Sequence, residues 1–433
     1  MRPTCQCRQI RSVETGFGIR STAVCPVTHR AHTARGLCSH DSLRRDPIVD
    51  ESEHTIVIVG AGPTGLALGA ELKRLGICSL ILDRLEAGAN TSRAAVVHAR
   101  TLEVLEGLEV TPELLREGII VPIFRVRDRD RVLSSISFKG LDTKYPFSLM
   151  CPQNRTEAIL LRRLESLGGG VNRPCEVVAI RPGEGSVQIQ FKSGEVLKTV
   201  HAKWLVGCDG MHSAVREQAS ISFVGGDYED SFVLADVQMD WPLERDEVSL
   251  FFSGKGLVVV APLPDNHFRV VATMKQAPSS LSISDFQKIL EERGPENAVI
   301  KIHRIVWASR FHLEHRVAKV LRQGRILLAG DAAHVHSPAG GQGMNTGIQD
   351  AISLASALRE VVQQGNDAAL NTWEEKRLAI AHSVVTMTDR MTKIATASSS
   401  GVKLLRNAII SIVGQIPFAQ HAIAERLSEL DNA

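Results

Sequence analysis

An unbroken β-branched run, Thr55-Ile-Val-Ile-Val59, ends in Gly60-Ala-Gly62-Pro-Thr-Gly65, and few folds accommodate that succession. The run reads as a strand, Leu66 to Leu75 as a helix closed by Gly76, and Cys78 to Leu82 as a second strand stopping at Asp83. Strand, glycine turn, helix, strand and acid make up the dinucleotide-binding fingerprint in its required context. Gly60 is expected to make the tight turn, Gly62 to let bare backbone meet a pyrophosphate, and Gly65 to permit close helix–strand packing. Asp83, with the adjacent Arg84, is expected to meet an adenosine ribose. Without its flanks, the same glycine pattern would mean a plain strand-to-helix turn.

A second junction lies far downstream. Ile326 to Ala329 reads as a strand, and Gly330-Asp331 ends it with a carboxylate suited to accept from sugar or ribityl hydroxyls. The loop that follows holds His334, His336, Pro338, Gly340, Gly341, Gly343, Met344 and Asn345, and a helical run begins near Ile348. Glycines there let backbone N–H groups and a helix N-terminus approach a group carrying negative charge. This suits a flavin with an anionic reduced ring. His334 is expected to order the Gly330-Asp331 loop rather than move a proton, whereas His336 is a candidate for the ring edge.

Between these two sits Val206-Gly207-Cys208-Asp209-Gly210-Met-His-Ser213-Ala-Val215-Arg216, again a strand running into a helix with Asp209 at the sheet edge. Arg93 lies in a loop and Arg100 near a helix entrance, with Thr101 read as the helix start. Either guanidinium would reach phosphate or ribityl oxygens, or make a surface salt bridge. Gln153 opens an amphipathic helix that ends near Gly168.

A chain of 433 residues with a formal charge of +2 has room for more than one domain and carries no nucleic-acid footprint. No apolar run approaches the length of a transmembrane helix. Residues 1–50 are arginine-rich, lack lysine and show no apolar period, which fits a disordered or targeting-like extension. Cys5-x-Cys7 with His29, His32 and His40 matches no standard zinc spacing, so no metal is expected. The scattered later cysteines read as reduced thiols and favour a cytoplasmic location, or an organellar one if the extension is a transit peptide.

Three motifs in this order, Gly60-x-Gly62-x-x-Gly65, Cys208-Asp209-Gly210-x-x-Ser213-x-Val215-Arg216 and Gly330-Asp331-Ala-Ala-His334, resemble those of the class A FAD-dependent aromatic hydroxylases, the para-hydroxybenzoate hydroxylase-like monooxygenases. The resemblance covers roughly residues 54–425. It implies an α/β fold: a discontinuous Rossmann-like FAD-binding domain (51–120, 150–222 and 318–396), a mainly antiparallel β substrate domain (121–149 and 223–317) and C-terminal helices (397–433). It also implies that Asp83 contacts the adenosine ribose, Arg100 and Gln153 the FAD, Asp209 both FAD and NAD(P)H, and Asp331 the ribityl chain. Pro338 and Gly340 to Asn345 would border the isoalloxazine, and Arg93 looks like the arginine of the mobile-flavin loop.

The implied chemistry is hydroxylation of an aromatic or polycyclic small molecule by O2 through a flavin C4a-hydroperoxide, driven by NADPH or NADH, with no side-chain nucleophile. The inserted sheet, read as apolar on one face, suits such a substrate. A flavin-dependent epoxidase, a prenyl-lipid reductase and a non-catalytic flavin-binding protein are the competing readings. The oligomeric state is left open between monomer and dimer.

Overall fold

The computed structural model describes residues 53–432, apart from 89–93, 275–277, 279 and 397–399. The expectations placed on residues 1–50 and on Arg93 lie outside the described residues. Strand β1 (Glu53–Val59) runs parallel to β2 (Ser79–Leu82) on one side and to β10 (Val196–Gly207) on the other. Its residues Ile56 to Val59 are buried, as a strand without polar alternation requires. Beyond β10 lie β17 (Ile326–Leu328), parallel to it, and the edge strand β16 (Arg322–Gln323). An antiparallel extension, β8 (Glu176–Pro182) and β9 (Val187–Ser193), continues from β10. Helix α1 (Pro63–Arg74) packs against both α4 (Gln153–Ser166) and α7 (Gly343–Gln364).

A small sheet in the order β3 (Val96–Val97), β7 (Ser148–Met150), β4 (Ile119–Val121) accompanies the short helices α2 (Ala99–Val104) and α3 (Thr111–Glu117). Helix α2 begins at Ala99 with His98 as its cap residue, two positions before the expected start at Thr101. The His98 N–H is satisfied by the Asn345 side chain, a partner too distant in sequence to be read locally.

The largest sheet takes the order β18-β15-β11-β14-β13-β12-β5-β6. Its strands are β5 (Ile123–Asp128), β6 (Arg131–Ser137), β11 (Phe223–Asp240), β12 (Glu247–Ser253), β13 (Gly256–Leu263), β14 (His267–Met274), β15 (Lys301–Ala318) and β18 (His334–Val335). All pairings are antiparallel except β5 with β12. β15 runs well past the strand expected at residues 300–306, because its later half pairs with the start of β11.

The expectation of one apolar face needs correction. Val233, Ala235 and Val237 join a core with Phe286, Ile289 and Leu290 of α6 (Ile283–Arg293). The alternate residues Phe232 and Leu257 are also buried, packing with Ala395 of α8 (Ala368–Thr396). Both faces are therefore apolar. Helix α5 (Ala214–Gln218) follows β10, and α9 (Ser400–Val413) and α10 (Pro417–Leu427) close the chain, with Pro417 starting α10.

Candidate cofactor and active site

The glycine turn after β1 is built by contact with its neighbours. Gly60 has φ 100°, and a Cβ there would lie 2.3 Å from the Cys208 carbonyl oxygen. A Cβ on Gly65 would lie 2.0 Å from the Gly60 carbonyl oxygen, so α1 sits directly on the turn. Gly62 is different: a Cβ there would meet nothing within 4 Å. Its backbone is open to an incoming group, and no side chain caps the α1 N-terminus.

Asp83, at the end of β2, is buried and partly engaged. It accepts from the Leu85 N–H at 3.1 Å and from Arg173 Nη2 at 2.9 Å. The same Nη2 reaches the Ala61 carbonyl at 3.3 Å, tying acid to glycine turn. Arg173 carries no motif and was missed. Arg84 is exposed. Gln153 accepts from Ala94 N–H at 3.1 Å and donates to Glu157 at 2.9 Å, fastening α4 to the loop before β3.

Two expected contacts have other employment. The Arg100 guanidinium pairs with Glu103 one helical turn away at 3.0 Å, the salt bridge that its context also allowed. Asp209 accepts from Ser213 Oγ at 2.6 Å and from the Val215 N–H at 3.2 Å, so its carboxylate holds the start of α5. Arg216 then braces two motifs, donating to Met211 O at 2.8 Å and to Ala332 O at 3.0 Å, with its guanidinium 3.9 Å over Phe223.

The third motif interlocks with the first at Thr64. A Cβ on Gly330 or on Gly347 would each lie 2.5 Å from Thr64 Oγ1. Gly330 has φ 64°, and its N–H donates to Asp350 Oδ2 at 3.0 Å. His334 Nε2 stands 2.7 Å from that same oxygen, and Arg377 Nε is 2.5 Å from Asp350 Oδ1. His334 thus orders the Gly330 loop through Asp350. Burial alone would raise the Asp350 pKa, but Arg377, His334 and the Gly330 N–H hold it down to about 2. Asp350 is the sole charged residue between Gly343 and Leu358, a signal legible in the sequence. Asp331, by contrast, is exposed at the strand end.

Gly340 and Gly341 take positive φ (80° and 70°) and lead into α7, whose N-terminus has no side-chain cap. Asn345 is fully used: its amide donates to Val96 O at 2.9 Å and Gly341 O at 2.8 Å, and its oxygen accepts from His98 N at 2.9 Å. It therefore shapes the loop with its side chain, and only its backbone remains to border a ring. His98, missed as a site residue, lies buried with Nε2 2.7 Å from Gly340 O, and burial pulls its pKa down to about 4. Pro338 is exposed, whereas Met344 is buried. His336 Nδ1 is bound to Ser337 O at 3.0 Å, while its Nε2 is buried without a partner among the described residues. A Cβ on Gly343 would lie 3.9 Å from that nitrogen.

An open glycine backbone, a carboxylate at each of two strand ends and two helix N-termini without side-chain caps suit the two halves of a flavin dinucleotide. A profile of the family described as "FAD binding domain" matches residues 53–388. The chain belongs to this family and, within it, to the FAD-dependent aromatic monooxygenases, as the three motifs implied. FAD is the cofactor.

Among its relatives, the 6-methylpretetramide 4-monooxygenase of Streptomyces rimosus is 36% identical over 82% of this chain and 63% of its own length. The uncharacterized aromatic compound monooxygenase YhjG of Bacillus subtilis is 33% identical over 88% of this chain and 76% of its own. The chain thus spans less than two thirds of the first and about three quarters of the second. The solved structure of the OxyS anhydrotetracycline hydroxylase from Streptomyces rimosus is 31% identical, with a TM-score of 0.75 over 88% of this chain and 76% of that one.

Proposed function

We propose that this chain is an NAD(P)H-driven monooxygenase that hydroxylates an aromatic or polycyclic small molecule. The observation that carries the reading is the interlock at Thr64, which holds the open turn at Gly62 beside the Gly330-Asp331 loop, so that one FAD would span both. Residues 51–120, 150–222 and 318–396 make the discontinuous Rossmann-like domain, and 121–149 with 223–317 the substrate sheet. Strand pairing supports this division, since β1, β2, β10 and β17 share one sheet while β5, β6 and β11 to β15 share another. Residues 397–433 add the C-terminal helices.

Bound FAD supplies electron transfer from NADPH or NADH and the activation of O2. Gly62 would present its backbone to the pyrophosphate, on a turn that Gly60 and Gly65 shape; Asp83 would meet the ribose and Asp331 the ribityl hydroxyls. The uncapped N–H groups at Gly343 and Met344 favour negative charge at the ring. His336 faces the same helix start, and burial drops its pKa to about 4, so at neutral pH its Nε2 offers a lone pair rather than a charge. Phe232, Val259 and Val271 give the α8-facing side of the sheet an apolar wall that excludes water from an aromatic substrate. The names of the relatives favour hydroxylation over epoxidation, lipid reduction or non-catalytic binding.

The decisive assay adds phenolic and polycyclic compounds to the FAD-loaded protein. Accelerated NAD(P)H oxidation with isotope from labelled O2 in the product is the expected result; flavin reduction without oxygen incorporation would refute it. Asp331→Ala tests the cofactor geometry. FAD affinity is expected to fall about tenfold to a hundredfold, because charge-assisted hydrogen bonds are lost. Because Asp331 is exposed, whatever partner it holds in the apoprotein is screened by water, so the apoprotein melting temperature should shift little. A destabilised apoprotein with intact FAD affinity would make Asp331 a loop cap instead.

A further inference from the structure

We propose that Glu429, carrying its proton, is a positioning residue that fixes the first two turns of α7 for the isoalloxazine end of FAD. This rests on the assignment of the α7 N-terminus to the flavin. The segment after α10 is stitched to the back of that helix start: Gln342 Nε2 donates to Leu427 O at 3.1 Å, and the Arg100 N–H donates to Ser428 O at 3.2 Å. Glu429, held at φ 58°, buries its carboxyl between Thr346 and Gln349, one turn apart on α7. The Gln349 amide also donates to Thr101 Oγ1 at 3.2 Å, so α2 is drawn into the same brace.

The hydrogen count argues for a protonated acid. Thr346 Oγ1 has one proton and stands 3.0 Å from Gln342 O and 3.3 Å from Glu429 Oε1. Donation to the nearer carbonyl leaves a lone pair facing Glu429, and a carboxylic acid O–H fills it. A carboxylate would instead have to draw the Thr346 proton away from Gln342 O, which also accepts from the Thr346 N–H. No cation bonds this carboxyl among the described residues. Arg377 of α8 is spent on Asp350 at 2.5 Å and on Thr346 O at 3.1 Å. The charged groups acting on Glu429 are that arginine, which favours ionisation, and Asp350 of α7, which opposes it. From α2, the Thr101 hydroxyl accepts from the Gln349 amide that holds Glu429, and the Arg100 N–H donates to Ser428 O. Burial dominates and pushes the Glu429 pKa from 4.5 up to about 8.

The sign follows. A released Glu429 ionises near 4.5, whereas the docked one keeps its proton to about 8. Docking is therefore strongest below 4.5, weakens steadily through that window, and levels off above it.

The test compares the full-length protein with Glu429→Gln and Glu429→Ala. Hydrogen exchange of amides 343–349 is followed in the apoprotein, and FAD affinity by flavin fluorescence, between about pH 5 and pH 9. Wild-type FAD affinity is expected to fall about tenfold or more across that range. Glu429→Gln, which keeps the shape and a donor, should lose this dependence and bind more tightly than wild type at the alkaline end. Its α7 amides should be protected there as well. Glu429→Ala should bind weakly at every pH. Identical pH profiles for wild type and Glu429→Gln in both measurements would overturn the proposal. If exchange differs but affinity does not, positioning of the flavin by Glu429 is refuted. Gly343→Asp, which sets a negative charge at the helix start, then locates the fault. Unchanged FAD affinity in that variant would mean that the flavin does not lie at α7.

Discussion

Gly65→Ala is expected to purify without FAD and to melt lower by on the order of 10 °C. The added Cβ falls 2.0 Å from the Gly60 carbonyl oxygen, which is backbone and has no rotamer to change. Relief requires α1 to lift away from the turn, and that helix buries Leu66, Leu68 and Leu72 in the core. The cost exceeds ordinary overpacking, which runs to about 1–3 kcal/mol. Gly62→Ala supplies the contrast. Its Cβ meets no protein atom within 4 Å, so the apoprotein should melt normally while FAD affinity falls. Calorimetry of both apoproteins, with flavin absorbance per polypeptide, separates the cases. Native FAD affinity in Gly62→Ala would remove the pyrophosphate from this turn.

Asp350→Asn should be comparably severe. The carboxylate is completely buried and receives the Gly330 N–H, His334 and Arg377 together. Removing its charge strands the Arg377 guanidinium, and breaking such a buried pair costs about 3–5 kcal/mol. The Gly330 loop should lose order at the same time, so FAD affinity falls with stability. In the wild type the Asp350 pKa is depressed from 3.8 to about 2. Its contribution is therefore present above 3.8 and is lost as pH falls through about 2. Acid unfolding curves of wild type and Asp350→Asn should converge in that window. A variant with native melting temperature and native acid sensitivity would show that Asp350 holds nothing together.

What the sequence revealed and what it hid divide along one line. Gly60, Gly65 and Gly330 are readable as turn residues because each sits at or just after a strand end, where backbone geometry dictates residue type. Asp209 and Asn345 were recognisable as special, but their partners were not. Asp209 serves the nearby helix start, and Asn345 stitches a loop to Val96 and His98. Arg173, Arg377 and Glu429 were invisible because their partners are remote in sequence, with no periodicity linking them. The larger sheet was legible as alternation, yet its burial on both faces depends on α6 and α8, which only the tertiary structure brings to it.

The start of α7 is assembled from three remote pieces of chain: the turn at His98–Arg100, the loop at Gln342–Asn345 and the segment Leu427–Glu429. The His98–Asn345 bond alone spans 247 residues. A polypeptide leaving the ribosome can close its glycine turn once β10 and Cys208 have emerged, but the other half of the cradle lacks its brace until Glu429 follows. Contacts of such long range form last. On the proposed assignment of the α7 start to the flavin, cofactor capture comes late in biogenesis, and a nascent chain stalled before Glu429 should hold FAD only weakly.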